Sequence, residues 1–165
     1  RLVKTGTVHT EILKSLVNEF LSYSYWQRQK SELEEDLAIL EERMYELSGI
    51  SYDGIPQKNR KQNQESRLIQ LITDKEKIEE RLRFIQSKED FVDEMMDMMP
   101  DDDRDFIMKS LIYRSAYDTN DSIGMKSSIT ESGVRYKINT IISRTFEEYL
   151  TKETKKGGKV EQTAG

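Results

Sequence analysis

Ser127-Ser128-Ile129-Thr130-Glu131-Ser132-Gly133-Val134-Arg135-Tyr136-Lys137-Ile138-Asn139 reads as the turn and second helix of a helix-turn-helix unit. Thr130 is a favourable N-cap, because its hydroxyl can accept from a free backbone N–H of the first helical turn. Glu131 beside it suits the positive end of the helix dipole. Val134, Ile138, Ile141, Ile142 and Phe146 then recur at three- and four-residue steps, which makes one apolar stripe. Ile129, just before the cap, is placed to staple the turn to that stripe. The other face carries Ser132, Arg135, Tyr136, Asn139 and Arg144.

Those exposed residue types suit base reading. The N-terminal exposed positions of a recognition helix meet base edges in the major groove. Arg pairs with guanine and Asn with adenine, each in bidentate fashion. Tyr136 and Lys137 suit either base edges or phosphates. The same spacing also fits an ordinary helical hairpin with a solvated outer face. Gly133 in the first turn costs about 1 kcal/mol of helix stability relative to Ala. Glu131 would repel phosphate unless it reads a cytosine amine.

Upstream residues supply the rest of a tri-helical unit over 101–150. Asp118-Thr119-Asn120-Asp121 offers several caps, Ile123 and Met125 are apolar, and Gly124-Met125-Lys126-Ser127-Ser128 reads as a short polar turn. Asp105 to Tyr113 reads as another amphipathic helix, with Asp101-Asp102-Asp103 at its start, where negative charge is favoured. From Arg104 to Phe146 there are seven basic and four acidic residues, a local +3 in a chain whose net charge is −5. That surplus supports a few phosphate contacts and leaves specificity to the groove residues, so useful binding calls for a dimer or a partner.

Residues 1–100 read as a long antiparallel, coiled-coil-like helical hairpin. Glu11 to about Tyr23 is amphipathic through Ile12, Leu13, Leu16, Val17, Phe20 and Leu21. Leu33, Leu37, Leu40, Met44 and Leu47 then alternate steps of four and three, the seam of a coiled coil. A second seam runs through Leu68, Leu71, Ile78, Leu82, Ile85, Val92, Met96 and Met99, with Lys75 and Glu89 at seam positions. Between them, about 48–64, two Gly and a Pro break the helix, and Lys58, Arg60 and Lys61 make a basic tip in what reads as a solvated loop. Two arms bury only a thin core, so a homo-oligomer is expected, a dimer in preference. Met95, Met96, Met98 and Met99, just before Pro100, read as the packing joint to the C-terminal domain. Residues 151–165, polar and with four lysines, read as a flexible tail.

The fold class is therefore all-α. Over a third of the 165 residues are charged and only two are Pro, which suits long solvated helices. Without Cys, disulfides and thiolate metal sites are excluded, and a reducing cytoplasm is compatible. The lone His9 reads as a surface residue. No Gly-rich phosphate loop and no nucleophile with a His partner is present, so no enzyme activity, cofactor or metal is expected. The Asp triplet reads as a helix start, because adjacent carboxylates in one short run do not by themselves enclose an ion. No apolar run is long enough to cross a membrane.

At this point the layout resembles phage late-gene transcriptional activators of the RinA/ArpU type. The likeness runs over roughly residues 10–150. It is carried by Glu19-Phe20-Leu21-Ser22-Tyr23, the Leu/Glu-rich helix, the Gly/Pro-containing loop and the second long helix. It continues from Asp105-Phe106-Ile107 through Ile129-Thr130 to Ile141-Ile142-Ser143-Arg144. The C-terminal unit is also similar to the promoter-reading helix-turn-helix of sigma factors, where Ile-Ser-x-x-x-Val opens the recognition helix; Ile129, Thr130 and Val134 fit that form with Thr for Ser. The resemblance implies a sequence-specific regulator that binds double-stranded promoter DNA in the cytoplasm of a bacterial host and activates packaging and morphogenesis genes, with host RNA polymerase as a candidate second partner. By position, Thr130, Glu131, Ser132, Arg135, Tyr136 and Asn139 would face the groove, while Lys126, Ser127, Ser128, Lys137 and Arg144 would hold phosphates. Two alternatives stay open: a small terminase-like packaging subunit and a coiled-coil adaptor that does not bind DNA.

Overall fold

Helix-forming Leu, Glu, Lys, Arg and Gln fill about two fifths of the chain, and strand-favouring runs are few. The computed structural model describes residues 2–48 and 58–163, with side chains described for 9–48 and 63–157. Over that range the protein is all-helical, without strands among the described residues. The helices are α1 (Leu2–Leu21), α2 (Tyr23–Ser48), α3 (Lys58–Asp97), α4 (Asp101–Ile107), α5 (Asn120–Ser127) and α6 (Glu131–Thr163), with a π turn at Met108–Ile112 directly after α4.

The helices group into two compact units, one built from residues up to Ser24 together with those from Lys88 onward, the other from Tyr25 to Ser87. This differs from a division at residue 100. The reason is that α1 spends its stripe on the C-terminal helices: Leu16 and Phe20 are buried in one core with Phe106, Leu111, Ile138 and Ile142. Met95, Met96 and Met99 lie in that same core, so the methionines are part of it rather than a joint beside it. Lys88 Nζ meets Glu19 at 2.8 Å, and Tyr23 donates to Asp93 Oδ1 at 2.8 Å, which fixes α1 and the start of α2 to the end of α3.

In the second unit the stretches from α2 and α3 run side by side in opposite directions. Lys30 Nζ donates to Gln86 at 3.0 Å, and further along Glu41 pairs with Lys75 at 3.6 Å. The seam positions Leu33, Leu37, Met44, Leu47, Leu71, Ile78 and Leu82 are half-buried, and Leu40 and Ile85 are buried. In the seam Lys75 pairs with Glu41 and, at 3.7 Å, with Glu79. Trp26 packs edge-on to Phe84, and the Arg81 guanidinium stacks near both rings. The loop expected over 48–64 is shorter, since α3 begins at Lys58; residues 49–57 and the Lys58, Arg60 and Lys61 side chains lie outside those described.

Three further expectations need correction. Gly124 to Ser127 is the end of α5 rather than a turn, which shortens the connection to Ser128–Thr130. The expected helix over 105–113 gives way to the π turn, where Tyr113 N–H donates to the Met108 carbonyl and the buried Ser110 hydroxyl to that of Phe106. The flexible tail is helical to Thr163. Two of its four lysines are held: Lys152 and Lys156 reach Glu94 on α3 at 3.5 and 3.9 Å, and Lys156 also reaches Glu153.

α5 starts in a reciprocal capping box between Thr119 and Ser122. It ends in a Schellman arrangement: Ile129 N–H bonds to the Gly124 carbonyl and Ser128 N–H to that of Met125. Ser128 sits there in the left-handed region at φ 59°. Gly124 has a different constraint, because a Cβ at that position would lie 2.5 Å from the Ile129 carbonyl oxygen. Gly124→Ala is therefore expected to destabilise the protein by about 1–3 kcal/mol. Ser128→Gly, which relieves the left-handed strain, is expected to stabilise it by about 0.5–1 kcal/mol. Urea unfolding of both variants checks the opposite signs.

Tyr23 titrates above the ordinary tyrosine range, first because it is buried and second because its phenol donates to Asp93 and faces that charge. A raised folded-state pKa gives stability that is full below the ordinary tyrosine pKa of about 10 and is lost as pH rises beyond it. The stability gap between wild type and Tyr23→Phe should thus hold constant up to about pH 9 and narrow as pH rises beyond about 10; a gap that stays constant above that pH refutes the linkage.

Candidate nucleic-acid interface

The turn and the start of α6 are shaped by their caps. Gly133 N–H donates to Thr130 Oγ1 at 3.0 Å, which is the cap expected for Thr130. A Cβ at Gly133 would lie 3.2 Å from that hydroxyl and 3.6 Å from the Ile129 side chain, so the small residue leaves the cap room. Val134, Ile138, Ile141 and Ile142 are buried against the core, as their stripe requires. Everything that precedes Gly133 in this stretch is exposed. Lys126, Ser127, Ser128, Thr130, Glu131 and Ser132, followed by Arg135 and Tyr136, form one solvent-facing tract from the end of α5 to the second turn of α6.

The other three candidates leave this tract. The Lys137 ammonium lies 4.3 Å from the centre of the Phe106 ring, a cation–π contact with α4. Arg144 is ion-paired with Asp103, also on α4. Both point along the α4 flank of the helix, where they remain exposed. Asn139 lies on the opposite flank, half-buried beside Thr10 and Lys14 of α1. His9 and Ser143 share a hydrogen bond at 3.2 Å on that flank, so the lone histidine helps hold α1 against α6. Sequence reasoning missed α1 as a neighbour because its partner helix is distant in the chain.

The electrostatics of the tract are modest. Arg135 lies 3.9 Å from Glu131, and Lys126 lies 3.6 Å from Asp118. Both pairs are exposed on the cationic side, and such pairs contribute little, so either cation can exchange its partner for a phosphate. Asp118 is held below the usual carboxylate range, first by the Ser115 backbone N–H and then by Lys126. Much of the local basic surplus is engaged elsewhere: Arg104 caps the Met96 and Met99 carbonyls at the end of α3, and Arg114 bonds the Asn120 side chain and the Asp118 carbonyl. Among the described residues no group of three or more His, Asp or Glu is placed to hold a metal ion, and no helix is long and apolar enough to cross a membrane.

No protein-family model, curated protein or solved structure matches this chain.

Proposed function

We propose that the protein is a sequence-specific double-stranded DNA-binding regulator, an activator of the phage late-gene kind that its sequence resembles. In this reading α5, the Ser128–Thr130 turn and α6 act as a helix-turn-helix, and the antiparallel α2–α3 pair acts as a coiled-coil-like hairpin. The observation that carries it is the exposed tract from Lys126 to Tyr136, which opens at a capped helix N-terminus. A recognition helix meets bases with these positions, and a helix N-terminus attracts phosphate. Arg135 is the strongest base reader among them, because a guanidinium pairs bidentately with guanine. Ser127, Ser128, Thr130 and Ser132 supply hydroxyls for phosphate oxygens.

The reading differs from the sequence expectation in its footprint. Asn139 is half-buried beside α1, which restricts base contacts to the first two turns of α6. A single tract of this size with two exposed cations binds weakly, and two copies bind usefully. The second unit supports the dimer: Ile39 is 47 % and Ile69 64 % exposed beside a seam that fully buries few of its residues, an arrangement that a second hairpin would cover.

Fluorescence anisotropy on DNA fragments from upstream of the genes that accompany this one tests the proposal. One fragment should bind specifically, and Arg135→Ala should weaken it by about 1–3 kcal/mol while relaxing specificity at one position. Lys137→Ala should leave affinity unchanged, because that cation is engaged with Phe106. Absence of binding even at low salt overturns the reading in favour of an adaptor. Sedimentation should give a dimer; a ring of many copies would favour the packaging subunit instead.

A further inference from the structure

α1, the π turn and α6 line a half-open cavity of about 520 Å³, within the size range of small-molecule sites. Its walls are apolar: Leu13 and Val17 from α1, Leu111 from the π turn and Ile138 from α6. Leu111 and Ile138 are buried in the core behind it, so this wall is rigid. Lys14, Arg114 and Arg135 add three cations, each from a different element. None of the described residues lining the cavity is acidic. The asparagines Asn18, Asn120 and Asn139 add amide groups to the same lining.

The charge is organised. Arg114 is held by Asn120 Oδ1 at 2.9 Å through one terminal nitrogen and by the Asp118 carbonyl at 3.3 Å through Nε. Its other terminal nitrogen takes part in neither bond, so a fixed guanidinium keeps donor capacity beside the cavity. An apolar chamber with convergent cations and no lining carboxylate complements an apolar body with one negative head. A neutral apolar molecule would leave the spare donor capacity of Arg114 and the Lys14 ammonium unused, and a cationic one would be repelled.

We propose that this cavity binds a small amphiphilic anion, an acyl-type chain ending in one carboxylate, with the chain against Leu13, Val17, Leu111 and Ile138 and the carboxylate met by Lys14 and Arg114. The site holds whether or not α6 touches DNA, since it is formed within one unit of the free chain.

Equilibrium dialysis of the full chain against radiolabelled decanoate, decanol and decylammonium tests it. Decanoate should bind at one molecule per chain. Decanol should bind at least about tenfold more weakly, the loss expected for one charge-assisted hydrogen bond, and decylammonium more weakly still. Lys14→Glu, at an exposed position, should weaken decanoate by about tenfold or more. Lys77→Glu, which changes net charge equally but lies in the other unit, should leave it unchanged. Val17→Trp, checked for unaltered helicity, should fill the chamber and abolish uptake. Absence of decanoate binding, equal uptake of decanoate and decylammonium, or an equal response to the two lysine variants would overturn the proposal.

Discussion

The carbonyl of Ile129 approaches the backbone of Gly124 so closely that no side chain can stand between them. This approach lets the chain leave α5, turn within three residues and enter α6 while both helices share one core. The left-handed Ser128, the bond from Ile129 N–H to the Gly124 carbonyl and the Thr130 cap all follow from it. Ile123 and Val134 reach the same core from either side of the turn. The exposed tract and one wall of the α1 cavity are set by the direction α6 takes from this point. A side chain at residue 124 would therefore disturb a surface and a chamber that it does not touch.

The two units differ in how they bury surface. The unit with the turn has a contiguous core drawn from α1, the end of α3, α4, the π turn, α5 and α6. The other has two long amphipathic stretches whose seam residues are mostly half-buried. Its regularity is electrostatic as well as apolar, with Lys30–Gln86 and Glu41–Lys75 fixing register. Ile39 and Ile69 stay exposed beside that seam.

Local features were the legible ones. The heptad steps from Leu33 to Leu47, the Thr130 cap and the Val134–Ile142 stripe depend on neighbours within one or two turns, and each stands in the structure as its spacing required. What escaped depends on residues far away in the chain. The α1 stripe looked like the start of a hairpin, because nothing in Leu16 or Phe20 says which distant helix will cover them. The neighbours of Lys137 and Arg144 were not legible either, since a cation's spacing does not tell whether Phe106 or Asp103 lies beside it. The C-terminal lysines looked like a loose tail because their partner, Glu94, lies some sixty residues earlier. Gly124 looked like a turn former, whereas its role is close approach inside a helix.

The segment from Tyr25 to Ser87 interrupts a unit whose first helix and remaining helices belong together. Closing a loop of that size costs entropy that rises only slowly with its length, about 0.6 kcal/mol per doubling. The inserted segment is thus free to lengthen or shorten over evolutionary time at little expense to the core it interrupts. Synthesis imposes a different burden. Phe20 leaves the ribosome about 120 residues before Ile142, its partner in the core, and at about 5–20 residues per second that delay is roughly ten seconds. For most of it, until Val92 and the methionines of α3 emerge, the apolar face of α1 has no core to join, which leaves that helix exposed to wrong partners early in synthesis.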